Sequence, residues 1–222
     1  MPTPVLLFHG LGRTARSMRR MARALSAAGF APANVDYASR CHSVPELVER
    51  VVAPEVEART EGDRPVHFVT HSLGGVLVRA YAAARALPDG SRAVMIAPPH
   101  RGSEVADLVE GVWPFDAACG PSLRQLGTGD ASVPRGLGAV RGIEAGVIAG
   151  SANVYPFGRV FDAAHDGIVS VESARADGIA DFVVVRRGHG LIMRAPETVR
   201  QTLSFLETGR FEHPRAQTRA SR

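Results

Sequence analysis

The sequence predicts an α/β fold, a doubly wound and mostly parallel sheet of about six strands flanked by helices. Short apolar runs rich in strand-forming residues alternate with segments of helical periodicity along the chain. The runs have no polar face, which is typical of parallel strands buried on both sides. The 222 residues, 45% of them hydrophobic, suffice for one domain with a full core, and no linker or internal repeat divides them.

The strands and helices are expected to alternate regularly. The first helix carries Met18, Met21 and Leu25 on one face and arginines largely on the other, and Gly29 follows as a C-cap. Pro54 is expected to kink the second helix. The predicted strands are residues 5–8, 31–37, 66–70, 92–96, 145–149 and 182–186, and the predicted helices include residues 15–28, 45–59, 76–87 and 196–206.

One stretch, residues 111–142, has no clear periodicity and is rich in glycine, proline and small residues. We predict a single domain over residues 1–208, with residues 111–142 as a small cap or loop region. Residues 209–222 are predicted to be a frayed, basic tail. Trp113 and Phe115 are the isolated large apolar residues of the cap, and they are either walls of a substrate pocket or plain core.

The composition excludes several classes of function. All 26 basic residues are arginines, so a Walker lysine or a lysine Schiff base is impossible. The arginines are scattered among 22 acidic residues, which favours an ordinary soluble surface over nucleic-acid binding. Cys41 and Cys119 do not make a disulfide framework, although a single bridge stays open. Without a Cys/His cluster of ligand spacing, we predict neither a metal nor a cofactor.

The chain lacks the sequence features of membrane insertion or export. No apolar run approaches 18 residues, so no membrane span is expected. The first residues show no basic segment followed by an apolar one, which is the pattern of a signal peptide. We therefore expect a cytoplasmic protein.

The segment from residue 66 to residue 75 predicts a strand, a tight turn and the start of a helix, with Ser72 on the turn. This is the pattern of a nucleophile elbow, in which a strained turn exposes the serine hydroxyl above the edge of the sheet. Thr70 occupies the place of the first glycine in the usual G-x-S-x-G pattern. The alternative interpretation is that Ser72 only caps the following helix.

A catalytic serine needs a base, an acid and two donors for the oxyanion. His189 lies between two glycines after the last strand and is the candidate base; Asp166 is the candidate acid, with Asp162 close enough to compete. The backbone N–H groups of Leu73 and Leu11 are the candidate oxyanion donors. The order serine, aspartate, histidine is that of the α/β-hydrolases.

These motifs resemble bacterial triacylglycerol lipases of the α/β-hydrolase superfamily. The similar segments are residues 8–12 (FHGLG), 70–75 (THSLGG), 99–107 (PHRGSEVAD), 165–169 (HDGIV) and 188–190 (GHG). The chain is much shorter than secreted lipases, and neither a long helical lid nor an acidic pair for their structural calcium is evident. The resemblance is therefore closer to small intracellular lipase-like esterases.

The combined prediction is a serine ester hydrolase that acts on a small-molecule ester or lipid through an acyl-enzyme. An acyltransferase, a thioesterase or an amidase would use the same three side chains. A binding protein with an inactive site is the alternative from another class, and the intact serine, aspartate and histidine argue against it.

Overall fold

A computed structural model describes residues 1–114, 119–153 and 161–213. It contains one six-stranded sheet in the order β2-β1-β3-β4-β5-β6, and every neighbouring pair of strands is parallel. The predicted fold class is confirmed. The strands are β1 (Pro4–Phe8), β2 (Ala31–Val35), β3 (His67–His71), β4 (Arg92–Ile96), β5 (Glu144–Gly150) and β6 (Asp181–Val185).

The helices lie between the strands and on both faces of the sheet. Short 3₁₀ turns at Ala15–Met18 and Ile192–Arg194 precede the first and the last helix. The α-helices are α1 (Arg19–Ala27), α2 (Val44–Leu47), α3 (Ala53–Glu57), α4 (Leu73–Ala84), α5 (Glu104–Val109), α6 (Pro121–Arg124), α7 (Val133–Gly136) and α8 (Pro196–Thr208).

The second predicted helix is interrupted rather than simply kinked. A π-turn at Val48–Val52 joins α2 to α3, and Pro54 lies just inside α3. A proline has no N–H to donate, and its ring clashes with the carbonyl four residues before it. The wider π-turn accommodates this defect without ending the helical path.

The core has two layers because successive side chains of a strand point to opposite faces of the sheet. In β1, Leu6 and Phe8 join the apolar cluster that contains α2 to α4, whereas Val5 and Leu7 join the cluster that contains α1 and α8. The alternation buries the central strands on both sides. The carboxyl ends of all six strands lie at one edge of the sheet, where open α/β sheets bind their ligands.

The segment after α8 differs from the prediction. Gly209 ends the helix in a left-handed conformation, and Phe211 then returns to the core, where its ring packs 4.9 Å from that of Phe205. The Phe211 N–H donates a hydrogen bond to Asp181 at 2.8 Å. The predicted frayed tail is therefore wrong for residues 209–213, because Phe211 anchors them; residues 214–222 lie outside the described part of the chain.

In the part of the predicted cap region that the structure describes, α6 and α7 are short helices. Gly120, just before α6, has a positive φ of 71°, and a Cβ there would collide with the carbonyl of Arg40. The α6 segment, residues 119–126, is thus packed closely on the loop after β2. Within the described residues, no helix is long and apolar enough to cross a bilayer.

Candidate active site

Ser72 lies at a sharp turn between β3 and α4. Its backbone angles are φ 53° and ψ −119°, a conformation that non-glycine residues rarely adopt, and its N–H donates to the Ile96 carbonyl at 2.9 Å. A Cβ on Gly74 would lie 2.6 Å from the Phe8 carbonyl oxygen, and one on Gly75 would lie 3.0 Å from Pro98. Position 74 requires glycine and position 75 is tight, because α4 starts in contact with the ends of β1 and β4.

The hydroxyl of Ser72 is less exposed than the elbow pattern predicts. The residue is only 8% accessible to solvent, because residues of the cap cover the edge of the sheet in front of it. Ser72 therefore lines a cavity rather than an open surface.

His189 and Asp166 form a buried pair beside the elbow. The His189 Nδ1–H donates to Asp166 Oδ2 at 2.7 Å, and the His189 backbone N–H donates to the Asp166 carbonyl at 3.0 Å. The other carboxylate oxygen accepts the N–H groups of Ile168 (3.0 Å) and Val169 (2.8 Å). With the proton on Nδ1, the second nitrogen of His189, Nε2, is left as an acceptor for a hydroxyl proton.

Asp162, the competing acid, lies elsewhere. Its side chain is exposed and lines a separate groove with Phe161 and Glu172. The structure therefore brings Asp166 to His189 and leaves Asp162 outside the site.

Ser72 and His189 line the same cavity of about 290 Å³, and Gly10 and Leu11 from the loop after β1 line it too. The remaining wall is mostly apolar and comes from α5, the α6 segment and the loop after β5. These wall residues are Arg13, His71, Pro99, Ser103, Val105, Ala106, Val109, Cys119, Leu123, Leu126, Ile168 and Val169.

The sequence analysis missed this apolar wall. In α5 the inward residues Val105, Ala106 and Val109 follow the spacing of one helix face, a signal that could have marked them. Trp113 is not a wall of this cavity: it lies beyond the end of α5, its side chain is 83% exposed, and it is absent from the described lining. Phe115 lies outside the described residues.

The loop after β1 is anchored by His9. The buried His9 ring stacks on Tyr37 at 4.1 Å and accepts the Tyr37 N–H on Nε2 at 3.3 Å. Its Nδ1–H donates to the Gly10 carbonyl at 2.9 Å. A Cβ on Gly10 would lie 3.2 Å from Ser72 Cβ, so this loop packs directly on the elbow.

His100 and His165 make contacts away from Ser72. Burial, followed by the charge of Arg79, lowers the pKa of His100 to about 3. Arg79 donates to both the ring and the carbonyl of His100. His165 stacks on Phe161 at 4.2 Å between ring centroids. These contacts place neither His100 nor His165 against Ser72.

The two cysteines and the acidic residues complete the chemical inventory. Cys41 and Cys119 are not joined by a disulfide, so the bridge that the sequence left open is not formed. Across residues 1–114, 119–153 and 161–213, no group of three or more His, Cys, Asp or Glu side chains is arranged to hold a metal ion.

The parallel sheet, the elbow serine and the connections between strands define an α/β-hydrolase fold. The solved structures that the chain resembles include lipases and esterases. The mature form of the Bacillus licheniformis lipase BlEst2 matches with a TM-score of 0.73 and 18% identity over 92% of both chains. The chain also matches the propeptide form of that lipase, but spans only 52% of its length.

Two further structures belong to the same group. The Paleococcus ferrophilus monoacylglycerol lipase has a TM-score of 0.65 and 17% identity, over 93% of this chain and 96% of that one. The metagenomic carboxyl esterase MGS0156 has a TM-score of 0.65 and 19% identity, over 86% of this chain and 65% of that one. No family model matches the sequence, and no curated protein matches it. At these identities the likeness establishes the fold.

Proposed function

We propose that this protein is a serine ester hydrolase in which Ser72 is the nucleophile, His189 the general base and Asp166 the acid that orients it. The observation that carries the proposal is the meeting of three features at one cavity. A serine on a strained elbow and a histidine hydrogen-bonded to a buried aspartate share a largely apolar pocket.

In the first half of the reaction, Ser72 Oγ attacks the ester carbonyl carbon while His189 Nε2 takes the hydroxyl proton. The tetrahedral intermediate collapses, the bond to the alcohol oxygen breaks, and His189 returns the proton to that oxygen. In the second half, water loses a proton to His189 and attacks the acyl carbon. The acid is released and Ser72 regains its proton.

The negative oxygen of the intermediate needs two N–H donors. Leu73 is the first residue of α4, so its N–H lies at the positive end of the helix dipole. The Gly10 carbonyl is held by the His9 ring and by the Arg13 N–H at 3.2 Å. Because C=O and N–H point in opposite directions in a trans peptide, these bonds direct the Leu11 N–H away from His9. Leu11 lines the cavity, which supports it as the second donor.

The apolar wall supports an acyl chain as the buried part of the substrate. Hydrolysis of esters is also the activity that the names of the matched lipases and esterase denote. An ester with a short or medium acyl chain fits both observations.

A fluorophosphonate probe and p-nitrophenyl butyrate test the proposal together. We expect the wild-type protein to be labelled rapidly and to hydrolyse the ester, and Ser72→Ala to lose both properties. Ser26→Ala, which removes an exposed hydroxyl on α1, is the control and should retain both. Residual wild-type-like turnover in Ser72→Ala would exclude the proposed nucleophile.

A second panel separates the ester hydrolase from its nearest alternatives. Butyryl ester, thioester and amide substrates would be compared at equal concentration, with and without an added alcohol as acyl acceptor. We expect the ester to react fastest and the free acid to be the main product. A faster thioester or amide, or a dominant transfer product, would reassign the reaction.

A further inference from the structure

His71 is the residue where the loops of the candidate site meet. It is the last residue of β3, it directly precedes Ser72, and its side chain is buried at the wall of the cavity. The mechanism proposed above gives it no part in proton transfer. Its contacts nevertheless reach both the base and the loop after β1.

The first contact is a hydrogen bond to the backbone of the catalytic base. His71 Nε2 lies 3.0 Å from the His189 carbonyl oxygen, and because a carbonyl only accepts, Nε2 carries the proton and donates it. The two imidazole rings lie 4.7 Å apart at an angle of 49°. Both backbone groups of His189 are thus hydrogen-bonded: its carbonyl accepts from His71, and its N–H donates to the Asp166 carbonyl.

The second contact is with the loop after β1. A Cβ on Gly10 would lie 2.8 Å from His71 Nδ1, so this nitrogen faces the loop at close range. Nδ1 is buried and has no hydrogen-bond partner. With Nε2 engaged and Nδ1 turned to Gly10, neither nitrogen is placed to take the Ser72 proton.

The charge state of His71 agrees with a fixed donor. Burial is the largest cause that lowers the pKa of His71 well below its usual value, and the charges of neighbouring His189 and Arg13 act in the same direction. The ring is therefore neutral at neutral pH and keeps one tautomer. Because His71 is uncharged, it does not repel the positive charge that forms on His189 during the reaction.

We propose that His71 is a positioning residue for the ester hydrolysis proposed above, on which this inference rests. Its Nε2–H ties the backbone of His189 to the strand that ends in Ser72. Because Ser72 is the next residue in the chain, this single bond sets the separation between nucleophile and base. Gly10 packs against the same His71 ring, so His71 also positions the loop that carries Leu11.

Three substitutions test the bond itself. His71→Gln keeps an N–H donor at about the reach of Nε2, His71→Asn carries its donor on a shorter side chain, and His71→Met fills similar space without a donor. The matched control is His67→Met, four residues earlier in the same strand. His67 is also buried, but its Nδ1 accepts the Arg92 N–H at 3.1 Å at the other end of β3.

We expect kcat for p-nitrophenyl butyrate to fall by about 10- to 100-fold in His71→Met, the scale of a misplaced catalytic group, with KM within about twofold of the wild type. His71→Asn should be impaired likewise, and His71→Gln should recover most of kcat. His67→Met should lose stability but keep kcat. The downfield proton NMR signal of His189 Nδ1–H should persist in His71→Gln and broaden in His71→Met.

The comparison between variants keeps the test decisive. If His71→Met fails to fold, the difference between His71→Gln and His71→Asn carries the same information. Equal kcat values for those two variants, or wild-type kcat in His71→Met, would overturn the positioning role. Activity that survives in Ser72→Ala would instead overturn the proposed hydrolase, so the two failures are distinguishable.

Discussion

At the scale of single residues, the environment of a carboxylate decides whether it can serve as the acid of a triad. Asp166 is fully buried. One of its carboxylate oxygens accepts a hydrogen bond from the His189 ring, and the other accepts hydrogen bonds from two backbone N–H groups. Asp162 lies in the same loop but faces solvent. Of these two carboxylates, Asp166 is the one placed to hold the His189 ring in one tautomer.

We therefore expect Asp166→Asn to lower kcat by about 10⁴-fold, the loss known from a well-studied triad in which the wrong histidine tautomer results. Asp162→Asn should change kcat little. Steady-state kinetics with p-nitrophenyl butyrate decides between them. The reverse ranking would make Asp162 the acid.

The backbone of Ser72 gives a second prediction at this scale. A side chain at φ 53° and ψ −119° is strained by about 1–3 kcal/mol, and glycine avoids most of that strain at an entropic cost of about 0.5–1 kcal/mol. We expect Ser72→Gly to be more stable than Ser72→Ala by about 1 kcal/mol in urea unfolding. A less stable glycine variant would show that the elbow carries little strain.

At the scale of elements, α5 and the α6 segment form two sides of the cavity beside Ser72. The inner face of α5 presents Val105, Ala106 and Val109, while Leu108 on its other face is 49% exposed. The α6 segment contributes Leu123 and is too short to act as a long amphipathic lid. We therefore expect the cavity to have a fixed depth and the activity not to depend on an oil–water interface.

We expect p-nitrophenyl esters from acetate to palmitate to show a maximum at short or medium chain length, because each buried methylene contributes about 0.8 kcal/mol until the cavity is full. The rate should rise smoothly through the solubility limit. Leu123→Trp should move the maximum to shorter chains, and Leu108→Trp, on the exposed face of α5, should not. A maximum at palmitate or a jump on forming emulsion would contradict this account.

At the scale of the whole molecule, the fold buries several histidines in their neutral form. Burial is the largest cause that lowers the pKa of His9, His67, His71 and His100, and the pKa of His67 is lowered to about 4. An unfolded chain binds protons on these rings near pH 6.5, whereas the folded chain does not. Their contribution to stability is complete above that pH and is lost as the pH falls toward 4.

We expect the free energy of unfolding in urea to be clearly lower at pH 5 than at pH 7.5, with His67 alone accounting for about 2 kcal/mol. His67→Gln should make this pH dependence shallower. Equal stability at the two pH values would contradict the assignment of neutral buried rings.

The sequence was sufficient for the features that depend on local patterns. Apolar runs located the strands, and the parallel order of strands brought the segments of Ser72 and His189 to one edge. It favoured Asp166 but could not exclude Asp162, because that choice depends on a hydrogen bond to a residue more than twenty positions away. The exposed position of Trp113 and the return of Phe211 to the core likewise depend on packing between distant segments.

The all-parallel sheet has a consequence for how the chain reaches its native state. No two neighbouring strands are joined by a hairpin: Pro4 pairs with Ala31, and Val5 pairs with His67. The apolar strand β1 is inside the sheet, so one of its edges stays unpaired until the polypeptide has been extended as far as β3. Such long-range pairing makes folding slow and leaves an aggregation-prone edge open meanwhile. During synthesis, the ribosome and its chaperones therefore meet β1 before it has all its partners.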